Sequence, residues 1–288
     1  MSFEVSKNNI TVEGGKRERL LLEQMKNPVD LITEEIKKRK SNCIIAYGEA
    51  NHNTAGTLEY EATLLSKLLE DGHTVKKVFL EEQEFMMPEV KKFFATGEMS
   101  QELCDYLEHG FVRVDSLEGH SYKRKLIETC RALQIPVQFI DNQNVDDRDS
   151  DWEEKIQEEI GISLEGIYVL IAGTTHVSHA SHISSHTPVV TQLDKIYPGS
   201  VVSLAGITTG FVRNEPRQAV YNNFLNDLEV YQTITKPWAV ETRNSPYRNE
   251  FLTKSGRGRD RYSHTTAGEA FDLLVMIPGK DLRKHKMP

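Results

Sequence analysis

The alternation of short apolar runs with longer helical stretches constrains the fold of this 288-residue chain more than any other feature. Apolar runs of this length are typical of buried strands. In chain order they are CIIAYG at 43–48, VKKVFLEE at 75–82, IPVQFID at 135–141, GIYVLIAG at 166–173, SVVSLAG at 200–206 and FDLLVMIP at 271–278. Helical periodicity is expected at about 28–40, 57–71, 88–109 and 119–133, and in the second half of 141–161. Crossover connections of this kind join parallel strands, so we predict an α/β fold with a mainly parallel sheet flanked by helices.

No internal repeat or low-complexity linker divides the sequence, and we therefore expect one α/β domain over 1–288. Its core is expected over about 40–205, together with the final strand at about 271–277. The segment at about 211–265 has no sustained period and contains several Gly, Pro and Arg residues. A long irregular segment inside a compact domain is typical of a functional loop, so we predict a lid-like insertion here.

Charge and composition exclude several classes of partner. The formal net charge of −8 at pH 7 argues against nucleic acid, whose recognition needs a basic face. No apolar run approaches the roughly 18 residues of a spanning helix, and the N-terminal residues show no export signal. The three cysteines have no close pairing, which fits a reducing compartment. We expect a cytoplasmic protein with no membrane partner, and the sequence does not indicate its oligomeric state.

Polar residues follow the predicted strands at the edge where a sheet of this class binds ligands. Glu49 and His52 follow the first strand, Glu81 and Glu82 close the second, and His176 follows the fourth. Carboxylates and imidazoles that share one crevice shift each other's pKa values, which is how a general base or a metal site is made. Taken singly, each of these residues is also consistent with an ordinary turn.

A run of histidines, His176, His179, His182 and His186, offers a second pattern. On a helix the first three would share one slowly rotating face and could bind a transition metal. The alternative is a helix N-terminus at which His176 alone points to the crevice. Asp141, after the third strand, is expected only to cap the next helix.

Three motifs together resemble a known superfamily. They are GEANH at 48–52, FLEE at 79–82 and AGTTH at 172–176. They resemble the superfamily that joins the erythromycin esterases, the ChaN haem-binding proteins and the Tiki/TraB group. The resemblance implies an EreA/ChaN-like α/β core whose cleft is lined by Glu49, His52, Glu81 and His176. The chain departs from the pattern at Asn53, where erythromycin esterases usually have glycine.

What the resemblance implies differs between its branches. In the esterase-like branch His52 is the general base that activates water, and carboxylates orient it. ChaN-like members bind haem, and Tiki/TraB members are regarded as metal-dependent proteases.

Residues and resemblance together lead us to expect an acid/base enzyme, a hydrolase of the erythromycin-esterase-like type that acts on a small molecule or a peptide. His52 is the expected general base, Glu49 fixes its tautomer, and His176 donates to the developing oxyanion or holds a metal. Glu81 is the expected second carboxylate, although Glu82 beside it leaves that assignment open. The enzyme needs either no cofactor or a divalent metal at Glu49, His52 and His176. The alternatives are a metal-dependent protease and a protein that binds haem or a metal through the histidine run or Tyr47.

Arginines of the insertion suggest how the substrate is recognised. Arg243, Arg257 and Arg259, with Glu82, are the candidate substrate-binding residues, because guanidinium groups suit an anionic part of a substrate. A solvated basic loop that offsets the acidic body is the alternative.

Overall fold

The computed structural model describes residues 24–49, 55–109, 117–180, 186–208, 236–244, 248–249 and 265–277. Its strands are β1 (Cys43–Glu49), β2 (Val75–Gln83), β3 (Val137–Asp141), β4 (Ile167–Gly173), β5 (Val201–Thr208), β6 (Trp238–Glu241) and β7 (Leu273–Ile277). Its α-helices are α1 (Pro28–Lys38), α2 (Ala55–Glu70), α3 (Met87–Thr96), α4 (Gln101–His109), α5 (Leu117–Ala132), α6 (Arg148–Ile160), α7 (Val189–Ile196) and the short α8 (Ala267–Ala270).

All seven strands form one sheet in the order β3-β2-β4-β1-β5-β7-β6. Every neighbouring pair is parallel except β6 and β7, which confirms the predicted mainly parallel α/β fold. The edge strand β6 was not predicted, since it lies inside the segment that we expected to be irregular. Four residues are too few to show a period, and Trp238, Ala239 and Val240 are buried by tertiary contacts, among them the pairing of the strand with β7.

Helices cover both faces of the sheet and divide the apolar core in two. The first layer packs α1 to α5 on one face, with the alternate residues Ile45 and Tyr47 of β1. The second layer packs α6, α7 and α8 on the other face, with Ile44 and Ala46 of β1. Because successive side chains of a strand point to opposite faces, β1 contributes to both layers.

The helical stretch predicted over 88–109 is two helices, α3 and α4. Gly97 ends α3 in the left-handed conformation, with φ of 84°, and its backbone N–H donates to the carbonyl of Phe93. Glycine adopts this conformation without the penalty that a Cβ imposes, which is why a helix stops here. None of the helices in the described part of the chain is long and apolar enough to cross a membrane.

Candidate functional site

The carboxyl ends of β1, β2 and β4 meet at one edge of the sheet, as the sequence led us to expect. Glu49, the last residue of β1, lies in register with Gly173 of β4 and Gly206 of β5. The chain leaves β1 to α2 in the first layer, whereas it leaves β4, the neighbour of β1, to α7 in the second layer. The two connections thus run to opposite faces of the sheet. A reversal of this kind opens a crevice at the carboxyl edge.

Gly48 allows the chain after β4 to fold back across β1. A Cβ at this position would collide with Cγ2 of Val177 and would lie 3.0 Å from the Cα of Thr174. Ser203 of β5 donates a hydrogen bond from Oγ to the carbonyl of Val177, which holds the returning segment down. This close approach explains why a glycine precedes Glu49, and it places His176 at the edge of the sheet.

His176 is held by a carboxylate at one ring nitrogen and faces another carboxylate with the other. Its Nδ1 lies 2.9 Å and 3.0 Å from the two carboxylate oxygens of Asp149, which also accepts the backbone N–H of Val189 at 2.8 Å. A carboxylate can only accept, so Nδ1 carries a proton. Nε2 lies 3.8 Å from Oε1 of Glu81, and the ring packs against Trp152 at 4.6 Å between centroids.

This environment favours the charged form of the imidazole. Burial alone would lower the pKa of His176, but the hydrogen bond to Asp149 and the negative charges of Glu81 and Asp149 outweigh it and raise the pKa above its usual value. His176 is therefore suited to offer a proton at Nε2 near neutral pH.

Glu81 is fixed by a backbone amide and a guanidinium group. Its Oε2 accepts the N–H of Gly173 at 2.7 Å, and its Oε1 lies 2.8 Å from Nη2 of Arg148. Arg148 also donates through Nε to Asp141 at 2.6 Å. We expected Asp141 to cap the next helix. It binds Arg148 instead, and Asp147 caps α6.

Glu82 points to different partners from those of its neighbour Glu81. It forms an ion pair with Lys123 of α5 and accepts a hydrogen bond from the hydroxyl of Tyr106 at 2.8 Å. Both glutamates line the same cleft, but Glu81 alone contacts the neighbourhood of His176. The two glutamates thus lie in distinct environments.

The cleft itself lies between the carboxyl edge of the sheet and the first helical layer and is partly open to solvent. Its carboxyl groups belong to Glu49, Glu61, Glu81 and Glu82, and its cation is Lys123. Glu61 of α2 is 1% exposed. Burial, and after it the negative charge of Glu49, raises the pKa of the Glu61 carboxyl well above its usual value.

The other predicted site residues are not all brought to this cleft. His52, Arg257 and Arg259 lie outside the described residues. Arg243 is described, but its Nη2 lies 3.2 Å from Oδ1 of Asp272, at the amino end of β7, so the structure does not bring it to the carboxyl edge.

The histidine run does not form a helical face in the part of the chain that the structure describes. His176, His179 and His186 are in turns and irregular backbone, and His182 lies outside the described residues. The described histidines face separate carboxylates: Asp149 for His176, Asp272 at 3.0 Å for His179 and Asp147 at 3.7 Å for His186. The helical interpretation of this run was wrong. The backbone N–H of His179 donates to the carbonyl of Ala270, whereas in a helix it would donate to a carbonyl four residues earlier.

Tyr47, suggested as a haem ligand, is fully buried in the first layer. A Cβ at Gly206 would collide with its hydroxyl oxygen, so the ring lies directly against the backbone of β5. In this position the hydroxyl of Tyr47 is not accessible to a ligand of the size of haem.

Sequence reasoning missed four residues that build the site, namely Glu61, Lys123, Arg148 and Asp149. A signal existed for Glu61, which shares the buried face of α2 with Leu65 and Leu68 at helical spacing. A carboxylate on an apolar stripe needs an explanation. Arg148 and Asp149 stand in an acidic run in which many residues are equivalent in sequence, so nothing distinguishes them before the fold is known.

No protein-family model matches the sequence, and no curated protein matches it either. The fold is similar to several solved structures at low identity. A succinoglycan biosynthesis protein matches with a TM-score of 0.56 and 9% identity, over 93% of this chain and 98% of that one. A protein from Bacillus cereus matches with a TM-score of 0.55 and 13% identity, over 88% and 92%. A mutant of the erythromycin esterase EreC in its open conformation matches with a TM-score of 0.50 and 11% identity, over 89% and 96%. The chain therefore has the α/β fold of an erythromycin esterase.

Proposed function

We propose that this protein is an acid/base hydrolase of the erythromycin-esterase-like type that acts on a small molecule or a peptide. The observation that carries the proposal is the placement of His176, which Asp149 holds through Nδ1 while Nε2 faces Glu81 at the carboxyl edge of the sheet. The likeness of the fold to EreC and the GEANH motif support membership of the same superfamily.

In the proposed reaction, water attacks a carbonyl carbon at the carboxyl edge of the sheet, between His52 and His176. His52 takes a proton from the water as the general base, and Glu49 fixes the tautomer of that imidazole. His176, protonated at Nε2, donates a hydrogen bond to the carbonyl oxygen on which negative charge develops. Collapse of the tetrahedral adduct then breaks the bond to the leaving group, and His52 returns its proton to that group. Asp149 orients the ring of His176 by accepting a hydrogen bond from its Nδ1–H. The negative charge of Glu81, 3.8 Å from Nε2, favours the protonated form of His176.

A divalent metal at Glu49, His52 and His176 is the metal-dependent form of the same hypothesis. Among the described residues, no group of three or more His, Cys, Asp or Glu side chains is arranged to hold a metal ion. The oxygens of Glu81 already accept from Arg148 and Gly173, and Nδ1 of His176 is used by Asp149. The described groups therefore do not form a metal site by themselves.

Hydrolysis by the His176→Ala variant is the first test. The wild type is assayed against ester, lactone, amide and peptide substrates, and kcat/KM should fall by roughly 10²- to 10⁴-fold in the variant, as expected for the loss of an acid or base catalyst. His52→Ala should cause a comparable loss. His73→Ala is the matched control, since His73 precedes β2 at the opposite edge of the sheet, and it should retain full activity.

Elemental analysis of the untagged protein separates the two forms of the hypothesis. Near-stoichiometric metal in the wild type and none in a His52→Ala/His176→Ala double variant would identify the metal-dependent form. Wild-type turnover that both single variants retain would contradict the proposed site.

A further inference from the structure

We propose that Arg148 is a positioning residue of the hydrolase. It holds the carboxylate of Glu81 close to His176 but out of hydrogen-bond contact, so that Nε2–H of His176 stays available to the substrate. The inference rests on the proposed function, in which that N–H stabilises the oxygen on which negative charge develops. Arg148 acts on the reaction only through Glu81.

Three contacts fix the guanidinium group of Arg148. Its Nε donates to Asp141 at 2.6 Å, and its Nη2 donates to Glu81 at 2.8 Å. Its Cζ lies 5.0 Å from the centre of the ring of Trp152, which is fully buried. A guanidinium group is planar and carries its donors in a fixed fork, so two bonds and one ring contact leave it little freedom to turn.

The carboxylate of Glu81 is held at both oxygens and stops short of His176. Its Oε1 accepts from Arg148, and its Oε2 accepts the backbone N–H of Gly173 at 2.7 Å. Oε1 lies 3.8 Å from Nε2 of His176, whereas a charge-assisted N–H···O bond measures about 2.7–2.9 Å. A movement of about 1 Å would therefore turn this separation into a hydrogen bond.

Arg148 prevents that movement because it offers the carboxylate a cation of its own. The ring of His176 is held at Nδ1 by Asp149, so Nε2–H is its other donor. If Glu81 accepted this N–H, the donor would be lost to the carbonyl oxygen of the substrate. With Glu81 tied to Arg148, its charge still favours the protonated imidazole, but the N–H remains for the substrate.

The beginning of α6 sets the separation of the two side chains. Arg148 and Asp149 are the first two residues of this helix, and they bind Glu81 and His176 respectively. Trp152, in the next turn, packs against the imidazole at 4.6 Å between centroids as well as against the guanidinium group. Glu81 comes from β2 and His176 follows β4, so the helix joins two parts of the sheet edge.

Crystal structures of two variants, grown near pH 6, test this geometry without any turnover. Both carry Asp141→Asn, so that no buried carboxylate is left without its cation. In Asp141→Asn/Arg148→Met, Oε1 of Glu81 and Nε2 of His176 should approach to about 2.8 Å. In Asp141→Asn/Arg148→Lys, the ammonium can still pair with Glu81, so the separation should stay near 3.8 Å. An unchanged separation in the methionine variant would overturn the proposal.

The turnover number gives a second readout, which a merely structural role of Arg148 would not produce. In the methionine variant, kcat should be about 10²- to 10³-fold lower than in the lysine variant, as for the loss of one oxyanion donor, whereas KM should change little. Equal losses in the two variants would contradict the assignment.

Adding Glu81→Gln to the methionine variant should raise kcat by at least about tenfold at pH 6, although it changes a further residue of the site. The amide oxygen of glutamine can still accept from Gly173, but its NH2 group cannot accept from His176. A further fall in kcat would contradict the proposal. Arg124→Met is the matched control, because Arg124 is partly exposed and pairs with Glu128 on α5, and it should retain full activity.

The structural and kinetic readouts separate this inference from the proposed function. An active hydrolase whose methionine variant keeps the 3.8 Å separation would refute this inference alone. If the gap closes in the methionine variant but the wild type hydrolyses no ester, lactone, amide or peptide, the spacing by Arg148 is supported and the proposed function is refuted.

Discussion

At the scale of single residues, neighbours in sequence have different chemistry because they meet different partners. Glu81 and Glu82 are adjacent, yet Glu81 faces Arg148 and His176 while Glu82 faces Lys123 and Tyr106. Alternation along β2 turns the two side chains toward opposite layers. The sequence predicted that both residues lie at the site, but the difference between them depends on side chains from α4, α5 and α6.

Glu61→Gln should stabilise the protein in a pH-dependent way. The pKa of Glu61 is raised in the folded state, so ionising it costs stability once the pH exceeds its usual value of about 4.5. Glutamine stays neutral, so the advantage of the variant should be small at pH 5 and should grow toward pH 8. Urea unfolding at both pH values measures it, and a difference that does not change with pH would show that Glu61 is not perturbed by burial.

Asp149→Asn should destabilise the protein more at low pH than at high pH. The pKa of His176 is raised in the folded state, so the stability from its charged form is present below the usual pKa near 6.5 and is lost as the pH rises through the folded value. The loss in the variant should therefore be larger at pH 6 than at pH 9. In a His176→Gln background the same change should cost an amount independent of pH, since Asp149 then supports only the N–H of Val189.

At the scale of elements, strands were predictable wherever apolar residues are buried on both faces. The runs at β1 and β4 are buried throughout, and both were identified from sequence. The conformation of the segment after β4 was not predicted correctly, because its hydrogen bonds join it to residues distant in sequence and not to its own turns. The hydroxyl of Thr191 donates to the carbonyls of Ser178 and His179, and these contacts take the place of the helical bonds that the histidine spacing suggested.

Gly48→Ala should displace the segment that carries His176. The added methyl group would meet Val177 and Thr174, and overpacking of this kind costs about 1–3 kcal/mol. Val177→Ala leaves a cavity by itself but should relieve the collision, so the double variant should be more stable than the sum of the two single changes implies. Denaturant unfolding of the three variants measures this coupling, and strict additivity would show that the two side chains do not meet.

At the scale of the whole molecule, the site takes side chains from both faces of the sheet. Glu61 and Lys123 come from the first layer, whereas Arg148 and Asp149 come from α6 in the second. Neither layer contains the arrangement by itself, so its geometry depends on both layers packing against one sheet. The sequence analysis identified strand-end residues and missed their partners, because no local sequence pattern predicts where a helix packs over a sheet.

Leu65→Ala tests whether the chain unfolds as the one domain that we predict. Leu65 is fully buried in the first layer, and its truncation should cost about 2–5 kcal/mol. Both tryptophans of the chain, Trp152 and Trp238, pack in the second layer, so their fluorescence reports the opposite face. In one cooperative unit, the fluorescence transition and the circular dichroism transition should move together to lower denaturant. The exposed Thr63→Ala on the same helix should move neither by much. A fluorescence transition that stays in place while the circular dichroism transition shifts would mean that the two layers unfold separately, and the single-domain prediction would then be wrong.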